Sequence, residues 1–136
     1  MEEQLQIARL EARMFRAGRA YLERSGFIEM LPPRVVRASG ACENVNTLFE
    51  VSSAKNFCWF GVPQAKHHAY LAQTAQLYLE AFVPYFGKVY AAGPSFRAEE
   101  GNDERHLTEF QMVEIEFAGG FAELLAKVEG FIYAIV

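Results

Sequence analysis

The sequence is poor in cysteine, with only Cys42 and Cys58 in 136 residues. Two thiols cannot build the disulfide framework of a small secreted domain, so they are read as reduced thiols. His67-His68 with Cys58 matches no usual zinc spacing, and no metal ligand is assigned. No apolar run approaches the ~20 residues that span a bilayer. The opening MEEQLQ is too acidic and polar for a signal peptide. A soluble, cytoplasmic protein with no membrane partner is expected. Basic residues are also scarce, with 13 Lys and Arg against 17 Asp and Glu and a net charge of −4. That balance excludes the broad basic field of a non-specific nucleic-acid binder, but leaves a local basic pocket open.

Apolar side chains, by contrast, make up 51% of the chain, twelve Phe and six Tyr among them. This is enough for one core, so residues 1–136 are expected to form a single domain. Ile7, Leu10, Met14, Ala17 and Tyr21 recur at helical spacing and predict a helix over 3–25, stopped by Gly26. GFIEMLPP predicts a short strand ended by its prolines. Residues 38–47 read as a loop, NTLFEV and FCWFGV as two strands around the turn SSAKN, and AYLAQ as a brief strand. TAQLYLEAFV predicts a helix interrupted near Pro84. KVYAAGPSFRAE and HLTEFQMVEIEFA are extended. The second has Val113, Ile115 and Phe117 on one face and Phe110, Met112, Glu114 and Glu116 on the other. Phe121, Leu124, Leu125, Val128, Phe131, Ile132 and Ile135 make a helical stripe read as core. Helices around hairpin-connected strands predict an α+β fold, an antiparallel β-sheet flanked by helices.

The stretch SFRAEEGNDERHLTEF carries more than a hairpin needs. Gly101-Asn102-Asp103 supplies the turn. Arg97 on one arm can grip a phosphate or carboxylate through its fixed fork of donors. Arg105 and His106 on the other arm can reach a second phosphate. Phe110 lies four residues beyond His106, roughly 13 Å along a strand, which matches the reach from terminal phosphate to base. Glu99 can accept from a base amino group. These residues alone leave two readings open: a nucleotide bound across a sheet, and a surface hairpin with incidental ion pairs.

FRAEEGNDERHLTEF resembles motif 2 of class II aminoacyl-tRNA synthetases, in the aspartate, asparagine and lysine subgroup. GFIEMLPP is similar to motif 1, and LAQTAQLYLEA to the segment lining the amino-acid pocket. The resemblance places motif 1 at about 10–33 and motif 2 at about 89–117, and covers nearly the whole chain. It implies the N-terminal part of a class II catalytic core, a ligase that joins an amino acid to ATP as an aminoacyl-adenylate before transfer to tRNA. Arg97 would then be the catalytic residue, neutralising the α-phosphate during attack. Glu99 and Phe110 would hold adenine, and Arg105 and His106 would face the γ-phosphate. The amino-acid site would draw on Glu43, Gln73, Gln76, Leu79 and Glu114, with Glu43 on the α-ammonium and Gln76 at the activated carbonyl. Glu114 and Glu116 could equally pair with core arginines. ATP with Mg²⁺ is the implied cofactor, the metal's ligands lying outside this chain, and a homodimer is the implied assembly.

Aspartyl enzymes resemble QSPQLYK where this chain reads QTAQLYL. Leu79 cannot pair a β-carboxylate, and an unpaired buried carboxylate would cost several kcal/mol or more. Asparagine is therefore expected ahead of aspartate. Motif 3 and an anticodon-reading barrel have no counterpart in the sequence, and Asn44 and Val45 stand where glycines usually follow the loop glutamate. Two alternatives accompany this reading: a tRNA-independent ligase like an asparagine synthetase, and a non-catalytic remnant or scaffold. Glu100, Asp103 and Glu104 in the motif 2 loop would repel RNA, so tRNA is expected to bind this chain weakly.

Overall fold

The computed structural model describes residues 1–40, 44–53, 58–63, 68–99, 101 and 106–136. The first element is α1, Glu2–Arg24. Glu2 and Glu3 in its first turn and Arg24 in its last complement the helix dipole. Gly26, at φ +82, adopts the left-handed conformation that lets the chain turn away. Short strands β1 (Ile28–Glu29) and β2 (Val35–Val36) and a 3₁₀ turn (Val45–Thr47) follow. Then come β3 (Glu50–Val51), β4 (Cys58–Trp59), β5 (Val62–Pro63) and β6 (Ala69–Leu71). The remainder is α2 (Gln76–Phe86), β7 (Lys88–Phe96), β8 (Glu109–Phe117) and α3 (Phe121–Ile135).

The central feature is the antiparallel ladder of β7 and β8, which runs from Lys88↔Phe117 to Phe96↔Glu109. β1 joins its other edge in parallel, Ile28 opposite Val89. A smaller antiparallel sheet has the order β2-β6-β3, and β4 pairs with β5 as a hairpin. Alternation along the ladder divides the core in two. On one face Val89 and Ala91 meet Ala75 and Leu79 of the α2 segment. On the other, Tyr90 packs with Leu22 and Phe27, flanked by Ile115, Phe117 and Phe131. α1 and α3 cross on this second face, where Gly18 is required: a Cβ there would lie 2.8 Å from the Phe131 ring.

A polar clamp ties α1, β1 and β7 together. Arg19 Nε donates to Glu29 Oε1 at 3.0 Å, and the hydroxyl of fully buried Tyr90 donates to Glu29 Oε2 at 3.0 Å. Burial first, and then the bond and charge of Glu29, push the Tyr90 phenol well above its ordinary pKa.

The α+β expectation holds, with three helices among the described residues and mostly antiparallel pairing. Three local expectations do not. NTLFEV and FCWFGV do not pair with each other. β3 pairs with β6, while Cys58–Trp59 turns back onto Val62–Pro63 because Phe60 (φ 54) and Gly61 (φ 74) form a turn with both central residues left-handed. Pro84 does not interrupt α2. It sits in the last turn with no N–H to offer Glu80 O, and the helix ends two residues later at Phe86, with Gly87 at φ +76. The α3 stripe is not closed core: Phe121 is 79% and Ile132 51% exposed, and no α3 residue is fully buried. The first half of α1 is likewise uncovered, with Ile7 and Leu10 both exposed.

Candidate functional site

The open end of the β7–β8 ladder carries the first group of site residues. Arg97 lies one residue past β7, and its backbone N–H donates to Thr108 O at 2.9 Å, extending the ladder by one step. Its side chain projects from the α2 face, and Cζ lies 5.5 Å from the centre of the Phe110 ring, a cation–π contact. Across the hairpin His106 Nε2 is 3.9 Å from Glu99 Oε2. Arg97, Glu99, His106, Leu107 and Phe110 together line an open cleft of about 330 Å³. Four of the five nucleotide-site residues expected from sequence thus share one cleft. Arg105 lies outside the described residues, as does Glu43.

Further along the same face, Glu114 stands at the N-terminus of α2. Both its oxygens accept from Ala75 N–H, at 2.9 and 3.0 Å, and Oε2 also accepts from the Thr74 hydroxyl. Thr74 Oγ1 in turn accepts from Gln76 N–H at 3.0 Å. A helix N-terminus with unpaired N–H groups favours a carboxylate, and Ala75 has no capping side chain of its own. Glu114 fills that role from the neighbouring strand. Gln76 Nε2 donates to Glu80 Oε1 at 3.0 Å. Burial, then the charges of Glu80 and Glu114, raise the pKa of Glu116 on the next step of the ladder.

Gln73 and Leu79 are placed differently from the expectation that they line the amino-acid pocket. Leu79 is 0% exposed and packs on Ala75, Val89 and Ala91, because its position on α2 turns it down onto the sheet. Gln73 is 1% exposed. Its Nε2 donates to Thr47 Oγ1 (2.8 Å), Thr47 O (3.1 Å) and Asn44 O (3.3 Å), its N–H donates to Ser39 Oγ, and its carbonyl accepts from Ser95 Oγ at 2.7 Å. Gln73 therefore bolts the 44–47 turn to β7, while its Oε1 has no hydrogen-bond partner among the described residues.

Two residues escaped the sequence reading. Thr74 links Glu114 to the start of α2; a hydroxyl two residues before a helix was the available signal. Arg34 lies over Gly93, where the strand has no side chain and any Cβ would collide with the guanidinium. Burial lowers the Arg34 pKa and the charge of Glu114 opposes the shift. Nothing in PPRVV distinguishes that arginine from an exposed one.

The chain belongs to the family of class II tRNA synthetases for D, K and N, whose model matches residues 1–136. It is 41% identical over 138 residues to the asparagine–tRNA ligase of Koribacter versatilis, covering 99% of this chain and 28% of that protein. The Thermococcus kodakarensis asparagine–tRNA ligase is 40% identical over 112 residues, with 82% of this chain and 23% of that one aligned. Among solved structures, asparaginyl-tRNA synthetase from Pyrococcus horikoshii complexed with asparaginyl-adenylate superposes with a TM-score of 0.75 at 35% identity, over 95% of this chain and 28% of that chain. The Entamoeba histolytica enzyme, also in complex with asparaginyl-adenylate, gives 0.79 at 29% identity, over 99% and 27%. The chain thus spans less than a third of these relatives.

Proposed function

We propose that residues 1–136 are the N-terminal part of a catalytic core that activates an amino acid with ATP, asparagine ahead of aspartate, for later transfer to tRNA. The observation that carries this reading is the grouping of Arg97, Glu99, His106 and Phe110 around one cleft, on the same sheet face as Glu114. In the reaction a carboxylate oxygen bonds to the α-phosphorus while the bond from that phosphorus to the leaving oxygen breaks. Pyrophosphate departs with the electron pair. Arg97 offsets the charge that builds on the α-phosphoryl oxygens, a role that needs no nucleophilic side chain. Phe110 stacks adenine, Glu99 accepts from its amino group, and His106, with Arg105, meets the γ-phosphate. Glu114 and Gln76 serve the amino acid, with Glu43. Gln73 and Leu79 support that site from beneath.

ATP brings Mg²⁺. Its protein ligands are assigned outside this chain. The preference for asparagine rests on the asparagine–tRNA ligases among the relatives. The exposed apolar side chains of α1 and α3 support a homodimer. No described helix is long and apolar enough to cross a membrane, and the cytoplasm is the proposed location. Saturation-transfer NMR with ATP and with asparagine tests the reading. Transfer to the adenine protons and to the asparagine β-protons is expected, and its absence for both contradicts the assignment.

A further inference from the structure

We infer that Arg34 is a further substrate-contacting residue of this site, its guanidinium holding the α-carboxylate of the amino acid between Arg97 and Glu114. The inference rests on the function proposed above. An ideal Cβ on Gly93 would point at the Arg34 guanidinium, with Cζ at 3.1 Å and Nε at 3.4 Å. That direction is the face of Val89 and Ala91 against α2, the face that also bears Arg97 and, across the ladder, Phe110 and Glu114. The backbone of Arg34 is fixed: its carbonyl accepts from Ala72 N–H at 2.9 Å, and the next residue pairs with Leu71. The glycine makes room for the guanidinium, and the β2–β6 pairing delivers it.

The Arg34 guanidinium also carries an uncommitted donor set. No described residue accepts a hydrogen bond from the Arg34 guanidinium or lies within ion-pair distance of it. Glu114, whose charge it feels, already accepts from Ala75 N–H and the Thr74 hydroxyl. A half-buried guanidinium has five N–H donors in a planar fork and matches a carboxylate in geometry as well as charge.

The charges on this face are also ordered. Along this face the fixed charges run positive at Arg97, positive at Arg34 over Gly93, and negative at Glu114 opposite Ala91. An α-phosphate followed by a zwitterionic amino acid runs negative, negative, positive. Gly93 and Ala91 are roughly 7 Å apart along the strand. A carboxylate and its neighbouring ammonium cover such a span with one hydrogen bond of about 2.8 Å at each end. Arg34 therefore offsets the repulsion between two anions that must meet. One carboxylate oxygen stays on the guanidinium while the other bonds to phosphorus, and no proton moves.

The experiment compares asparagine with asparaginol, which has the ammonium and side chain but no carboxylate. Protein-observed NMR titrations are run on the chain and on Arg34→Gln and Gly93→Ala, the second of which displaces the guanidinium without removing it. Both variants are expected to weaken asparagine about tenfold or more, the scale of a charge-assisted pair, and to leave asparaginol within about twofold. Retained asparaginol binding also shows that the variant is folded. Equal loss of both ligands, or unchanged asparagine binding, would overturn the inference and leave Arg34 as a counter-ion of Glu114. If the unmodified chain binds neither ligand, the proposed function itself fails, and this inference with it.

Discussion

The carboxylate of Glu114 and the backbone N–H of Ala75 are 2.9 Å apart, although one belongs to the second strand of the ladder and the other to the N-cap of α2. This bond makes the helix start part of the sheet face. It also fixes an acid where a substrate ammonium is proposed to sit. Glu114→Ala leaves Ala75 N–H and the Thr74 hydroxyl without their acceptor, so a loss of about 1–3 kcal/mol in stability is expected. A urea titration followed by circular dichroism measures it; an unchanged midpoint would show that the cap is not formed in solution.

Leu79 is a core residue here, and its substitution should behave accordingly. Leu79→Ala is expected to cost about 2–5 kcal/mol, the range for a large-to-small change in a packed core. Leu79→Lys should be worse, since it places an ammonium against Ala75, Val89 and Ala91. Denaturant unfolding of the two variants checks this. A folded Leu79→Lys chain of normal stability would mean that position 79 opens onto the amino-acid pocket after all.

The general outline of the fold was legible because β7 and β8 advertise themselves: nine residues each, alternating faces, with turn residues between. The grouping of Arg97, Glu99, His106 and Phe110 around one cleft was legible for the same reason, since all four belong to that hairpin and its register sets their relations. What could not be read was anything set by packing between distant segments. Alternation does not say that Leu79 turns inward while Gln76 stays half-buried at the helix start. Arg34 and Gly93 are 59 positions apart, and only the pairing of β2 with β6 brings them together. The turn at Phe60 was missed because an aromatic residue rarely accepts a left-handed backbone.

Glu116 offers a pH test. Its folded-state pKa is raised, by burial first and then by Glu80 and Glu114. Folding therefore disfavours its ionised form, and that cost appears only as pH rises through the ordinary glutamate range toward the folded pKa. Glu116→Gln should raise the melting temperature at neutral pH and give no gain at about pH 3, where glutamate is protonated in both states. Equal shifts at both pH values would show that the effect is packing rather than charge.

The acids of the 99–104 stretch and the net charge of −4 bear on RNA. Each phosphate contact contributes through released counterions, and acids reverse that contribution. The chain alone is expected to bind tRNA(Asn) more weakly than about micromolar at physiological salt. A filter-binding titration at two salt concentrations decides the matter; tighter binding with a steep salt slope would contradict the expectation.

Calorimetric titration of ATP into the chain and its Arg97→Ala variant tests whether the cleft at the open end of the ladder holds ATP through Arg97. Removing a charged contact worth about 1.5–3 kcal/mol should weaken ATP roughly tenfold to a hundredfold. Equal affinities for the two proteins would show that Arg97 does not hold the nucleotide.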